Sequence, residues 1–298
     1  QMKKEGYDAE FSCAITAASA TVGPIFPPSI PMVIYAMLSG ASIGKLFMGG
    51  MVPGVLLAIL LMIYVAFISH KRNYPAGVVM SKREFLKATL QALPALFTVV
   101  ILLGGIYSGI CTPTEAGAVA SAYALIISAL IYKTLGWKKL WGIIKKSAAN
   151  TATLALLCGT SMLFSYIISL EQVPRVVASL VMGITDNKYI FLNIVFLLLG
   201  CVLDVSTIQL VFVPMVLPLV QAMGIDLVHF GVVICLNMMI GLSTPPFGML
   251  LFIVSGLGKT KIKGVIREIL PMVLIMIGLL FLVTYVPDII MFIPNNFM

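Results

Sequence analysis

Apolar runs long enough to cross a bilayer, about 17 to 25 residues each, recur along this chain and are joined by short basic connections. Residues 43 to 69, 94 to 110, 113 to 132, 147 to 170 and 263 to 286 are predicted to be ordinary spanning helices. Three other stretches depart from that pattern. From Asp8 to about Leu38 the apolar run is interrupted by Gly23, Pro24, Pro27, Pro28 and Pro31, which cannot occupy one continuous helix. Residues 224 to 255 are broken in the same way around Gly241, Pro245 and Pro246. Residues 187 to 222 offer two arms of about 15 residues, each short for a crossing, on either side of Asp204-Val205-Ser206-Thr207; they predict a re-entrant helical hairpin with a polar tip.

Local signals punctuate these elements. Ser81-Lys82-Arg83-Glu84 is a capping box that predicts a short amphipathic helix on the membrane surface, ahead of the crossing that begins at residue 94. Thr112-Pro113-Thr114-Glu115 is a second box with proline at the first helical position, which assigns Glu115 to a cap rather than to chemistry. Asp8 and Asp226 open their segments and are expected to cap them. Trp137 and Trp141, set among lysines, predict a helix resting at the headgroup level.

The two broken stretches are related. Sliding the chain on itself by 218 positions places Gly6 on Gly224, Asp8 on Asp226, Gly23 on Gly241, and Pro27-Pro28 on Pro245-Pro246; after a two-residue deletion Ser39-Gly40 meets Ser255-Gly256. Of the 19 Lys and Arg, 14 fall in residues 70 to 87, 133 to 146 and 259 to 267, which marks those connections as cytoplasmic. The two copies therefore run in opposite directions, an inverted-topology repeat of the kind found in secondary transporters. Residues 1–93 form the last part of the first repeat (broken helix, scaffold helix, surface helix), and residues 94–298 form the second. If the second copy begins near Thr112, about 107 residues (112 minus 5) of the first copy, including its own hairpin, are expected to precede this stretch.

Composition narrows the class further. The chain is 298 residues, 60% hydrophobic and 10% charged, far from soluble domains at roughly 45 to 50% apolar. The fold class is an all-α polytopic membrane protein. The placement of the +8 net charge in membrane-flanking loops argues against nucleic acid. The five cysteines have no paired spacing and read as packing residues, and His229 reads as a packed histidine.

Non-helical backbone at membrane depth is tolerated only where it is buried in protein or lines a cavity. The two breaks are therefore the candidate site. Their unwound carbonyls suit a hard cation such as sodium, and their half-helix N-termini suit a carboxylate. Candidate sodium ligands are Ser19, Thr21, Gly23, Pro27, Asp204, Ser206, Thr207, Gly241 and Thr244; candidate substrate contacts are Ser19, Ser29, Asp204, Asn237 and Thr244, with Ser243 close by. For each hydroxyl the alternative is a bond to the carbonyl of the preceding turn. Asp204 is the sharpest signal, because a carboxylate at depth costs about 2.5 to 3.5 kcal/mol on insertion scales. An intramembrane aspartyl enzyme pairing Asp204 with a second acid such as Glu115, and a stand-alone sodium-coupled dicarboxylate or anion transporter, are the competing readings.

These residues resemble a known family. Gly6-Tyr7-Asp8, the run from Ala17 to Pro31, Thr112-Pro113-Thr114-Glu115-Ala116, Gly224-Ile225-Asp226 with His229-Phe230-Gly231, and Thr244-Pro245-Pro246 are similar to the large membrane subunit of tripartite ATP-independent periplasmic (TRAP) transporters, and they span the chain in the family's order. The resemblance implies a multi-pass protein of the bacterial inner membrane and an elevator mechanism, in which hairpins and broken helices move against a scaffold of the other helices. It also implies sodium coupling, a small membrane subunit, and a periplasmic binding protein that delivers an organic acid such as a C4-dicarboxylate or sialic acid. Carried onto this chain, the sodium and substrate positions are Ser19 to Ser29, Asp204 to Thr207, and Gly241 to Thr244.

Overall fold

The computed structural model describes residues 2–75, 81–171 and 188–297. After a single 3-10 turn, Met2–Glu5, the chain forms α1 (Ala9–Ala20), α2 (Ile30–Ser39), α3 (Ile43–Lys71), α4 (Lys82–Tyr107), α5 (Pro113–Ile126, prolonged by a π turn over Ile127–Ile131) and α6 (Trp137–Leu170). There follow α7 (Lys188–Val202), α8 (Val205–Ala222), α9 (Leu227–Leu242), α10 (Met249–Gly258), α11 (Ile262–Tyr285) and α12 (Asp288–Phe297). No strand occurs among the described residues. Five helices there are long and apolar enough to cross a membrane: α3, α4, α5 with its π turn, α8 and α11. The all-helical, polytopic expectation stands.

Three features differ from the sequence expectation. One is that α8, the second arm of the hairpin, has 18 residues and is long enough to cross, whereas the sequence makes both arms short. The surface helix and the crossing after it are one helix, α4, which runs through Pro94. The tryptophan-bearing helix and the next crossing are likewise continuous in α6. In α4 the turn loosened by the proline has outside partners, since Tyr132 donates its hydroxyl to the Gln91 carbonyl (2.8 Å) and Tyr123 to that of Pro94 (3.1 Å). Both capping boxes form as predicted.

The chain divides into two compact units, residues 1–76 with 160–298, and residues 77–159. In the first, α9 is the axis: every residue from Val228 to Leu242 is buried, as expected of a helix that is apolar all round. Around it pack α7, α2, α3 and α11, while α1 lies on α10 and α11, and α12 on α3. Tyr35 of α2 fills the space over Gly231 and donates its hydroxyl to the Leu227 carbonyl at 2.8 Å.

Contacts along α11 set the directions of the broken helices. Near its start, Glu268 takes both oxygens to Arg72 at the end of α3 (2.8 and 2.9 Å), and Arg72 also pairs with Asp8 at the start of α1 (3.1 Å). Near its other end, the Val283 carbonyl meets Nε2 of His229 in the first turn of α9 (3.0 Å), and Thr284 accepts from Asn193 in α7 (3.0 Å). So α1 and α9 begin at opposite ends of α11 and run toward each other's starting level. Asp226 caps α9, as predicted, by accepting from the Val228 and His229 amides. Asp8 does not cap α1; its carboxylate is drawn to Arg72 and Tyr74 instead.

The helix ends refine the register of the two broken segments. The left-handed residue that closes α2 is Gly40, and the one that closes α10 is Lys259, 219 positions on (259 minus 40). Ser255-Gly256, which the sequence pairs with Ser39-Gly40, lies inside α10.

Candidate functional site

Both breaks fall where glycine and proline place them. The first leaves residues 21 to 29 out of regular helix, between α1 and α2; the second leaves 243 to 248, between α9 and α10. The Pro27–Pro28 and Pro245–Pro246 peptide bonds are cis. Thr21, fully buried, donates to the Ala18 carbonyl (2.7 Å) and touches Sδ of Met276 (3.6 Å), 14 residues into α11. At about 1.5 Å per residue that is roughly 21 Å along a helix of about 36 Å, so the first break lies near mid-depth.

The hairpin turn, Leu203-Asp204, lies between the breaks, and each arm is fastened to one of them. On the α8 side, Gln209 donates Nε2 to the Pro31 carbonyl at 2.9 Å, in the first turn after the first break. On the α7 side, Gly200 lies against Gly241, and a Cβ on Gly241 would stand 2.6 Å from the Gly200 backbone. Two glycines are required there because any side chain would separate the helices.

Asp204 is half-buried and caps α8, accepting from the Thr207 amide at 3.1 Å and from the Thr207 hydroxyl. Ser206 and Thr207 are half-buried beside it. Ser29 is buried, caps α2 by accepting from the Met32 amide (3.3 Å), and donates to the Pro24 carbonyl. Ser19 donates to Thr16 (3.3 Å), while Ser243 and Thr244 both donate to Ile240 (3.1 and 2.7 Å). These hydroxyl protons are thus directed at helix carbonyls, which leaves their oxygens as acceptors. Gly23 is exposed in the first break and Pro27 is buried in it.

Asn237 is the candidate that the structure sets apart. It is buried one to two turns before the second break, where it donates to the carbonyl and the side-chain oxygen of Asn193 (2.8 and 3.1 Å) and so ties α9 to α7. Sequence reasoning missed Gln209, Gly200 and Asn193. A lone amide such as Gln209 in an apolar arm is the signal that marks such residues. Gln209 is fully buried, and its Oε1 has no hydrogen-bond partner among the described residues. A buried neutral oxygen at the break is the kind of donor that a hard cation takes. Glu115, the second acid that an aspartyl mechanism needs, is exposed and held in its cap by Thr112 (2.8 Å).

Three helices, α2, α8 and α10, begin at these breaks and at the hairpin turn. The first two are capped by Ser29 and Asp204, whereas α10 opens at Gly248 with no side-chain cap. Helix starts offer amide donors and partial positive charge, which favours an anion.

Comparison with known proteins gives matches over nearly the whole chain. The family described as tripartite ATP-independent periplasmic transporter, DctM component, matches residues 1–289. The chain is 39% identical to the sialic acid TRAP transporter large permease protein SiaM of Vibrio cholerae, across 100% of this chain and 70% of that protein. It is 37% identical to the C4-dicarboxylate TRAP transporter large permease protein DctM of Pseudomonas aeruginosa, across 99% of this chain and 70% of the relative. It is 38% identical to the isethionate TRAP transporter permease protein DctMQ of Oleidesulfovibrio alaskensis, across 98% of this chain but 46% of that longer protein.

Proposed function

Because the chain belongs to the DctM-component family of TRAP transporters, and is therefore an inner-membrane permease and not an enzyme, we propose that it is the transport-site part of a sodium-coupled importer of an organic acid. In this reading a periplasmic protein delivers the carboxylate, a small membrane subunit accompanies the permease, and sodium binding on the same side drives uptake. Sialic acid and C4-dicarboxylates, named for the relatives, are the first substrates to try. The observation that carries the proposal is the fastening of one hairpin turn to two matched helix breaks, by Gln209 to Pro31 and by Gly200 against Gly241.

The chemistry follows from the donors present. Oxygens of Thr21, Asp204, Thr207, Gln209 and Thr244, with the unwound carbonyls at Gly23 and Pro27 and the last-turn carbonyl of Gly241 in α9, would hold sodium. The bound cation supplies positive charge at mid-depth that draws the carboxylate into the site. The uncapped start of α10 offers amide donors to the substrate. The opposed directions of α1 and α9, and the 218-position spacing of their Pro-Pro pairs, support an inverted-topology repeat in which half-helices from two copies share one site. With both arms fastened to the broken helices, α1, α2 and α7 to α10 carry the site together, which favours an elevator over a gate that swings at the hairpin.

The test is uptake by the complete membrane complex in proteoliposomes, with its periplasmic binding protein and labelled sialic acid or a C4-dicarboxylate. Uptake should require both the binding protein and an inward sodium gradient. Uptake that proceeds without the binding protein supports the stand-alone carrier instead.

A further inference from the structure

Within residues 77–159, α4 and the end of α5 border a groove of about 780 Å3 lined by Arg83, Lys87, Leu86, Leu90, Pro94 and Ile131, among others. Positions 83, 87, 90 and 94 recur at helical spacing and so share one face of α4. The opposite wall is fixed by the Tyr132 hydroxyl on the Gln91 carbonyl. With 26 residues at about 1.5 Å each, α4 is roughly 39 Å long, about 9 Å more than the hydrocarbon core.

The basic connection before α4 puts that excess on the cytoplasmic side. About six residues, including Arg83 and Lys87, thus stand at headgroup level, with Leu90 and Pro94 below them among the acyl chains. Among the described residues neither cation forms an ion pair. The acid of this turn, Glu84, is turned to its cap and accepts from the Ser81 amide at 3.0 Å.

We propose that this groove binds one anionic phospholipid, with its phosphate between Arg83 and Lys87 and an acyl chain along Leu86, Leu90, Pro94 and Ile131. A small soluble anion would leave the apolar length of the groove uncovered. An apolar helix from another protein would cover two cations without a counter-charge, which is costly. A zwitterionic lipid brings its own ammonium to a basic patch, so the anionic lipid is favoured, roughly fivefold per cation.

The test is native mass spectrometry of the complete membrane complex in detergent, titrated with phosphatidylglycerol or phosphatidylcholine of equal chain length. The wild type should retain one phosphatidylglycerol in preference. The double variant Arg83→Gln/Lys87→Gln should weaken that binding roughly twenty- to thirtyfold and leave phosphatidylcholine unchanged. Lys138→Gln/Lys139→Gln, on the same basic face outside the groove, should behave as wild type. Leu90→Trp, which fills the groove and keeps both cations, should lose the bound lipid, and it serves as the test if the double variant does not fold. Equal retention of the two lipids by the wild type overturns the proposal, as does an equal loss in the control pair. Cross-linking of a Leu90→Cys variant to the small subunit with no lipid retained also overturns it, by assigning the groove to a protein partner.

Discussion

Gly241, in the last turn of α9, lies so close to Gly200, in the last turn of α7, that a Cβ added to it would stand 2.6 Å from the Gly200 backbone. This contact holds the hairpin's first arm on the second break. Gly241→Ala must push the helices apart, and overpacking of this kind costs about 1 to 3 kcal/mol. Gly256→Ala, where an added Cβ meets nothing within 4 Å, should be neutral or slightly stabilising through helix propensity. Thermal unfolding of the purified complex should show a lowered midpoint for the first substitution only, and uptake should fall with it.

Gln209 makes a second prediction, because its two ends have separate tasks. Nε2 holds the Pro31 carbonyl, and Oε1 is the buried, unpartnered oxygen that the proposed site would offer to sodium. Gln209→Leu removes both; the Pro31 carbonyl keeps its place in the α2 ladder, so the lost hydrogen bond costs about 0.5 to 1.5 kcal/mol. The substitution should also raise the half-saturating sodium concentration for uptake about tenfold. A purely structural amide would lower stability and leave the sodium dependence unmoved.

The third prediction concerns Arg72, which gathers the starts of α1 and α11 and the end of α3 through Asp8 and Glu268. The Glu268 hydrogen bonds, with that of Tyr74, raise the guanidinium's pKa further above its ordinary value, so Arg72 stays charged at every working pH. The site is partly exposed, with about a third of the arginine side chain accessible, so a double-mutant cycle between Arg72→Gln and Glu268→Gln should give a coupling of only about 0.5 to 1 kcal/mol. That coupling should shrink in 1 M salt, where the Debye length is about 3 Å. A coupling that ignores salt would contradict the surface character of the pair.

Much of this organisation is legible in the sequence because it is written in residues with strong local preferences. Gly23, Pro27, Gly241 and Pro245 mark both breaks, and Ser81, Thr112 and Asp226 mark helix starts, since each acts within a few bonds of its own backbone. The extent of α4 was not legible, because its change from amphipathic to apolar reports the surroundings of the helix and not its continuity. Gln209, Gly200 and the Asn193 partnership of Asn237 were missed for a different reason. Each gains its role from a contact made across a long stretch of chain, as Gln209 does with Pro31, and nothing local announces the partner. Asp8 shows the same effect in reverse, a plausible cap drawn away by Arg72.

The central claim is that the two breaks and the hairpin turn form one sodium-dependent site. The most direct measurement is the sodium dependence of uptake in proteoliposomes for Thr21→Ala, Asp204→Ala and Thr244→Ala, one from each part of the site, with Thr153→Ala in α6 as the control. All three site variants should require more sodium for half-maximal uptake than the wild type, while the control should match it. An unchanged sodium dependence in all three, or uptake that proceeds in the wild type with no sodium gradient, would contradict it.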